Sequence, residues 1–480
     1  MINTRKALLW LWNSPTFTTW GNYLVQSLRL LVLTPLVLTK FDDVEIAAWF
    51  LFVSLNFFGT TLTMRLGLTF SRMLAFAMGG RTNLSSIKTA VPARMVTSSG
   101  PAWAAFARAY GMAGTLSLGV GLVNIFLALG MGWFALDNLL ADYDGDSMVW
   151  LAFIVMQLSS LVIFSFQQFR VALIGMNYVP LVNRWSVVFG TFSCLAGAIA
   201  LLCDSGLLWL VIVVQLFLVL EIVRDWRILR RVEGGRVASF RLFSLDREVF
   251  HWAWEPTYKG LLAFGSVYGS TQAVGILLTK SWDPALISAY FLTLRLVDTV
   301  VRFSIAPFVS VTPKLSTMMA SGEHHNALAI ARIRVAVGLS IMAVGFLCIL
   351  IVVPPLLKFI GSKVTILQSE ALAVITASIL QYRYGNLIAG LAGVGNVILY
   401  WKEEFISGVF AVFATLLFAE KESVTVVCLC LFCIRPIIIN FRPVAYMVEH
   451  YGYSAKSLLF PSYLPVLIYL VLMLGILPLI

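Results

Sequence analysis

The stretch LTKFDDVEIAAWFL (residues 38–51) returns later in the chain as LTKSWDPALISAYFL (residues 278–292). An earlier pair, WLWNSP (10–15) and WAWEP (252–256), recurs in the same order at nearly the same shift of about 240 residues. Each match is weak alone. Their common order and nearly constant shift indicate an internal duplication, so we expect two similar halves.

The composition predicts that both halves lie in a membrane. Of the 480 residues, 60% are hydrophobic and only 12% are charged, and the mean hydropathy is +0.91. A soluble domain cannot bury so much apolar surface, and soluble domains carry roughly 25% charged residues. The formal net charge of +11 is therefore expected in cytoplasmic loops, not at a nucleic-acid interface.

Apolar windows predict about 12–13 transmembrane helices. In order along the chain, they cover residues 16–38, 44–69, 105–132, 147–170, 184–203, 206–226, 256–279, 284–309, 331–356, 369–392, 403–419, 423–447 and 459–480. Six helices per half is an even number, so the halves enter the membrane in the same orientation and form a parallel repeat.

The predicted fold class is therefore an all-α polytopic membrane protein with two six-helix lobes. The first lobe, with a basic cytoplasmic linker, is expected within residues 1–240 and the second within 241–447, while 448–480 supplies one additional transmembrane helix. Two such lobes packed face to face leave a cavity near the middle of the membrane.

Loop charges predict the orientation of the chain. The segment 71–104 carries four Lys or Arg residues and no acid, and 227–255 carries a run of arginines. By contrast, ALDNLLADYDGD (135–146) has four Asp and no base. The positive-inside rule then places the N-terminus in the cytoplasm. The start of the chain lacks a recognisable cleavage site after a short apolar core, so the first apolar run is interpreted as a retained helix.

Three charged residues share one face of the eighth predicted helix. Arg295, Asp298 and Arg302 in LRLVDTVVR (294–302) are spaced i, i+3 and i+7. A charge inside the hydrocarbon costs at least about 2.5–3.5 kcal/mol, so these side chains should face a cavity or a partner. Asp298 can pair with either arginine but cannot neutralise both. Arg295 is predicted roughly 16 Å below the outer surface, too deep to reach it easily.

Further polar residues fall inside predicted helices. Asn22, Gln26 and Arg29 lie on one face of the first helix at spacings i, i+4 and i+7. Arg383 in the tenth helix and Arg435 in the twelfth are also predicted near the middle of the membrane. Taken singly, each deep arginine also fits a buried ion pair or a hydrogen bond to a backbone carbonyl. Together they outnumber the deep acids, which favours a substrate that brings negative charge, such as a phosphate.

The remaining motifs do not indicate a cofactor or a metal. The six cysteines lie in or beside apolar runs and lack paired C-x-x-C spacing, so they are interpreted as small residues of the membrane core. DYDGDS (142–147) begins like a calcium loop, but the positions that require Gly and Glu hold Ser147 and Phe153. We therefore expect no bound cofactor.

The chain resembles the polysaccharide and oligosaccharide flippases of the multidrug/oligosaccharidyl-lipid/polysaccharide superfamily. The resemblance rests on NYLVQSLR (22–29), LTKFDDVEIAAWFL (38–51), RLGLTFSRMLAFAMGG (65–80) and the echo at 278–292. It covers roughly residues 1–447. It implies a MATE-like fold in the inner membrane and transport of an undecaprenyl-pyrophosphate-linked glycan by alternating access, with Arg29 as a cavity cation.

That resemblance also implies partners. These are the lipid-linked glycan, membrane lipids, a proton or sodium ion as coupling ion, and a polysaccharide polymerase with its chain-length machinery. A cation-coupled exporter of small amphiphiles on the same fold is the alternative, although the few membrane carboxylates argue against it. A membrane enzyme such as a glycosyltransferase would need a larger loop domain than the outer loop at about 133–146 provides, so we expect no enzyme.

Overall fold

The computed structural model describes residues 12–87, 100–140, 146–278, 284–359, 365–399, 401–418, 424–433, 436, 441–460 and 462–476. All regular elements within these ranges are helical. The chain divides into two compact units, which are Met1–Ser85 with Thr97–Trp254, and Ser86–Val96 with Glu255–Ile480.

Unit 1 contains seven described helices, followed by a short 3-10 helix at Val232–Ser239. They are α1 (Pro15–Lys40), α2 (Asp43–Met78), α3 (Trp103–Leu139), α4 (Asp146–Ser165), α5 (Gln168–Gly175), α6 (Val179–Leu202) and α7 (Gly206–Leu229). Local sequence sets the first boundaries. Ser14 caps α1 by accepting from the Phe17 amide, and Pro15 occupies the first turn, where its missing N–H costs nothing.

Helix α8 (Arg247–Leu278) leads from unit 1 into unit 2. The remaining described helices are α9 (Pro284–Val309), α10 (Thr312–Ala320), α11 (His324–Phe359), α12 (Ser369–Val394), α13 (Trp401–Phe418), α14 (Val424–Phe432), α15 (Phe441–Tyr451), α16 (Ala455–Leu459) and α17 (Leu464–Ile476).

The same packing order occurs inside both units. In unit 1, α2 packs on α3, α3 on α4, α4 on α7 and α6 on α7. In unit 2, α9 packs on α11, α11 on α12, α12 on α14 and α13 on α14. Counted along each half, these are the same pairs of membrane helices. The pairing of α1 with α6 also has a counterpart, because the Ser266 hydroxyl of α8 donates to the Glu404 carbonyl of α13 at 2.6 Å. The parallel repeat is thus visible in the packing of each unit.

Most predicted spans coincide with helices, and the deviations are local. The predicted span 147–170 is divided into α4 and α5 at residues 166–167. Within the predicted span 423–447 the described residues form α14 and the beginning of α15, and the last predicted span is described as the shorter helix α17. Five helical stretches in the described part are long and apolar enough to cross a membrane: Trp103–Gly130, Ser147–Gly175, Val179–Leu202, Gly206–Leu229 and His324–Phe359.

A close approach to α3 fixes the linker that follows α7. The Ser244 amide donates to the Gly111 carbonyl at 3.1 Å, and the Thr115 hydroxyl donates to the Ser244 carbonyl at 3.0 Å. A Cβ at Gly114 would lie 2.0 Å from the Leu242 carbonyl oxygen, and one at Gly111 would lie 2.2 Å from the Ser244 hydroxyl. The linker backbone therefore rests directly on the helix at two positions where only glycine leaves room.

Candidate functional site

Of the three charged residues on one face of α9, Asp298 and Arg302 form an ion pair and Arg295 does not take part in it. Asp298 accepts from the Arg302 Nε at 2.8 Å, one helical turn away. Arg295 is exposed, and in the described part of the chain its side chain makes no ion pair or hydrogen bond. The Thr299 hydroxyl, on the same exposed face, donates to the Arg295 backbone carbonyl at 2.8 Å. Asp298 therefore holds Arg302 and leaves the Arg295 guanidinium available.

Asn22 and Gln26, two of the three polar residues predicted on one face of the first helix, lie one turn apart on α1. Asn22 is half-buried and Gln26 is exposed, and the Gln26 amide donates to the Asn22 carbonyl oxygen at 3.4 Å. Arg29 lies on the same helix one turn further, but its side chain is outside the described residues. Two neutral hydrogen-bonding groups are thus presented one turn apart on this face of unit 1.

Arg383 occupies the middle of α12, roughly 16 Å from the end of that helix. The side chain is half-buried, and its guanidinium lies over the Tyr382 ring at 5.5 Å from the ring centre. Its Nε is buried without a hydrogen-bond partner, and no acid among the described residues forms an ion pair with it. Arg435, which the sequence also predicts near the middle of the membrane, lies outside the described residues.

The equivalent arginine of the first half has a different environment. Arg170 lies in QFR (168–170), which returns in the second half as QYR (381–383) and so relates Arg170 to Arg383. Its guanidinium pairs with Glu221 at 3.3 Å and donates to the Ser186 hydroxyl at 3.2 Å. Beside it the buried Arg224 pairs with Asp225 at 2.5 Å. Arginine and carboxylate balance in this cluster of unit 1. The duplicated motif is therefore neutralised in unit 1, whereas in unit 2 its arginine pairs with none of the described acids.

A buried carboxylate that sequence reasoning missed lies in unit 2. Glu404 is only 1% exposed, and its carboxylate accepts a hydrogen bond from the Tyr382 hydroxyl at 2.7 Å. The Asn386 amide donates to the same hydroxyl at 3.4 Å. The neighbouring Glu403 instead pairs with Arg442 and is one quarter exposed. Glu404 thus combines deep burial with a specific phenolic partner.

The contacts of Glu404 place it well inside unit 2. Tyr382 is near the middle of α12, and Ser266, which donates to the Glu404 carbonyl, is near the middle of α8. Sequence reasoning did not place Glu404 inside the membrane, because it falls at the edge of the shortest predicted span, 403–419. That shortness was the available signal. When a predicted span is too short to cross the bilayer, an acid in its first turn can lie inside the membrane.

The comparisons with known proteins agree on the fold and on nothing finer. No family model matches the sequence, and no curated protein does either. Among solved structures, a MATE protein in the straight conformation superposes with a TM-score of 0.68 at 13% identity, covering 91% of this chain and 98% of that chain. The chain has the MATE fold. It is an all-α polytopic membrane protein, as its composition and repeat predicted.

Two further structures have the same fold. One is the outward-facing conformation of a multidrug resistance MATE family transporter of the MOP superfamily, with a TM-score of 0.64 at 12% identity over 96% of this chain and 98% of that chain. The other is a MOP superfamily transporter from Pyrococcus furiosus whose binding pocket is described as having reverse polarity, suggesting a different function. It matches with a TM-score of 0.64 at 12% identity over 92% of this chain and 98% of that chain.

Proposed function

We propose that this chain is a flippase that moves an undecaprenyl-pyrophosphate-linked oligosaccharide from the inner to the outer leaflet of the inner membrane. The observation that carries the proposal is the presence of two arginines, Arg295 and Arg383, within predicted membrane spans, neither of which pairs with a carboxylate among the described residues. A guanidinium in that setting needs an anion, and a pyrophosphate presents oxygens that arginine binds in a bidentate manner. Neutral donors such as Asn22 and Gln26 suit the sugar hydroxyls.

The fold supports transport by alternating access and not an enzymatic role, because two solved structures that share it are described as transporters. The transporter from Pyrococcus furiosus is described as having a pocket of reverse polarity. A cationic path for an anionic substrate is thus compatible with the architecture. The translocated oligosaccharide would be used to assemble a surface polysaccharide or an exopolysaccharide. A polymerase and chain-length machinery are therefore the expected partners.

Glu404 is our candidate for the coupling site. A buried carboxylate that can bind a proton or a sodium ion couples an ion gradient to a conformational change if its occupied and empty forms favour different states. The Tyr382 hydroxyl donates to the Glu404 carboxylate at 2.7 Å, so a proton or sodium ion bound at Glu404 would alter that hydrogen bond. This gives unit 2 both a candidate substrate cation, Arg383, and a coupling carboxylate on neighbouring helices.

The same Glu404 favours a second candidate, a cation-coupled exporter of small amphiphiles. In that alternative the carboxylate would attract a cationic substrate directly. The flippase would bind an anionic ligand and the exporter a cationic one, so a binding measurement distinguishes the two functions.

The binding test uses purified protein in a neutral detergent and follows the melting temperature. Undecaprenyl pyrophosphate is expected to raise it, since ligand at about a hundredfold its Kd adds about 2.7 kcal/mol of stability. The Arg295→Gln/Arg383→Gln variant should lose that increase. Stabilisation by the cationic dye ethidium, lost in Glu404→Gln, with no response to the pyrophosphate lipid, would favour the amphiphile exporter.

We further propose that the N-terminus and the arginine-rich linker are cytoplasmic, as the loop charges predict. The exposed Ser147 at the start of α4 then faces outward. A Ser147→Cys variant in a cysteine-free background should react with a membrane-impermeant maleimide in intact cells. Reaction only after permeabilisation would reverse the orientation.

A further inference from the structure

The linker between α7 and α8, taken together with the last turn of α7 and the first residue of α8, carries a concentrated positive charge. Within residues 227–247, six arginines face two acids. All six are exposed, and none makes an ion pair with a described residue: Arg227, Arg230, Arg231, Arg236, Arg241 and Arg247. Two of them rest on indole rings, Arg230 at 4.4 Å from the Trp226 ring centre and Arg236 at 4.9 Å from that of Trp103. Ring contacts orient these guanidiniums and leave their charge in place.

The linker acids are engaged elsewhere. Asp246 and its neighbour Glu248 both accept from Arg108 of α3, at 2.5 and 2.6 Å. The Arg108 guanidinium holds the pKa of the Asp246 carboxyl below its usual value, so this pairing persists at neutral pH. Glu233 accepts from the Tyr178 hydroxyl at 2.9 Å. The acids thus fasten the linker to unit 1 and are not available to the six arginines.

The linker is a fixed surface with apolar side chains beside the arginines. Its backbone rests on α3 at the two glycines described above, and Val237 is fully buried. Between Arg241 and Arg247 the side chains of Leu242 and Phe243 are more than one third exposed, and Leu245 is 85% exposed. Apolar residues exposed next to cations are typical of segments that insert into a bilayer interface.

The position of the linker in the chain selects the partner. It directly follows α7, whose apolar stretch is long enough to cross a membrane. A segment that leaves such a helix lies at the headgroup level, where anionic phospholipids are the nearest and most abundant anions. We propose that this linker surface, formed by the six arginines with Leu242, Phe243 and Leu245, is a binding surface for anionic phospholipid headgroups.

The proposal does not depend on which substrate is exported, and its test does not measure transport. Protein purified in a neutral detergent is mixed with equal amounts of phosphatidylglycerol and phosphatidylcholine of the same acyl chains. Native mass spectrometry then counts the lipids that each molecule retains. Wild-type protein should be enriched in phosphatidylglycerol, and raised salt should weaken the enrichment because the charges are exposed.

The test variant replaces Arg230, Arg231, Arg236 and Arg241 with glutamine. Each basic residue near an anionic surface adds to the attraction, so loss of four of them should lower the enrichment at least about tenfold. The matched control replaces four exposed lysines of unit 2 with glutamine and should retain the enrichment: Lys314, Lys358, Lys402 and Lys456. Replacing the same four arginines with lysine preserves the charge and should also retain it, which provides a folded comparison if the glutamine variant is unstable.

Three results would overturn the proposal. One is unchanged phosphatidylglycerol enrichment in the folded glutamine variant. Another is an equal loss of enrichment when the four unit 2 lysines are replaced with glutamine, which would show that the preference depends only on the net charge of the protein. The third is selective displacement of phosphatidylglycerol by millimolar inorganic pyrophosphate at constant ionic strength, which would assign the linker to the headgroup of the export substrate and not to the bilayer.

Discussion

If the chain is the proposed flippase, replacing Arg295 with glutamine should reduce export of the lipid-linked glycan by about 10- to 100-fold, the loss expected when a charge-assisted contact of about 1.5–3 kcal/mol is removed. The folded protein should remain abundant, because Arg295 is exposed and its side chain has no partner among the described residues. Export is measured as surface glycan in cells that lack the native gene, and stability as the melting temperature in detergent. Arg295→Lys should recover only part of the activity, since an ammonium binds phosphate as a point charge.

Variants on the same helix separate substrate binding from a structural role. The Asp298–Arg302 pair is partly exposed, with side-chain exposures of 34% and 49%, so breaking it should cost no more than about 0.5 kcal/mol. Thr299→Ala, on the same face, serves as the matched control and should export normally. If Arg295→Gln melted early, and Asp298→Asn restored export in the double variant, Arg295 would be a structural residue and the substrate-binding role would be lost.

Sequence reasoning worked best where the signal is local. The eighth predicted span, 284–309, has the same limits as α9 (Pro284–Val309), and the sixth, 206–226, lies within α7 (Gly206–Leu229). Apolar runs flanked by polar loops are readable from a short window because the bilayer imposes their length. The duplication was readable for the same reason, since a few short echoes kept their order along the chain.

Sequence reasoning was limited where an answer depends on a neighbour from a distant part of the chain. It left Asp298 with two equivalent partners, and side-chain geometry on α9 selects Arg302. The repeat relates Arg170 to Arg383, yet only the structure shows that Glu221 of α7 pairs with Arg170. Glu404 was missed because its burial comes from α8 and α12, which contact it across long sequence separations.

Glu404→Gln should abolish the dependence of transport on an imposed ion gradient while leaving the protein folded. The glutamine keeps the shape of the side chain and retains an oxygen that accepts from Tyr382, but it cannot bind and release a proton or neutralise a sodium ion. Transport is followed in proteoliposomes with an imposed proton or sodium gradient, and the gradient that drives the wild type identifies the ion. Glu403→Gln is the matched control, because that carboxylate pairs with Arg442 and should not affect coupling.

Compared with Glu404→Gln, the Tyr382→Phe variant should be less stable but should keep more of the gradient-driven transport. It removes the hydroxyl that donates to Glu404 at 2.7 Å, leaving a buried carboxylate without this hydrogen bond at a cost of about 1.5–3 kcal/mol. Its melting temperature should therefore fall below that of Glu404→Gln, although Glu404 itself remains and some gradient-driven transport should persist. A coupling site thus predicts a stable but uncoupled Glu404→Gln and a less stable but coupled Tyr382→Phe. The contradicting result would be equal destabilisation of both variants with gradient-driven transport kept in both. Glu404 would then have only a structural role, because a carboxylate needed only for packing affects folding and not the response to the gradient.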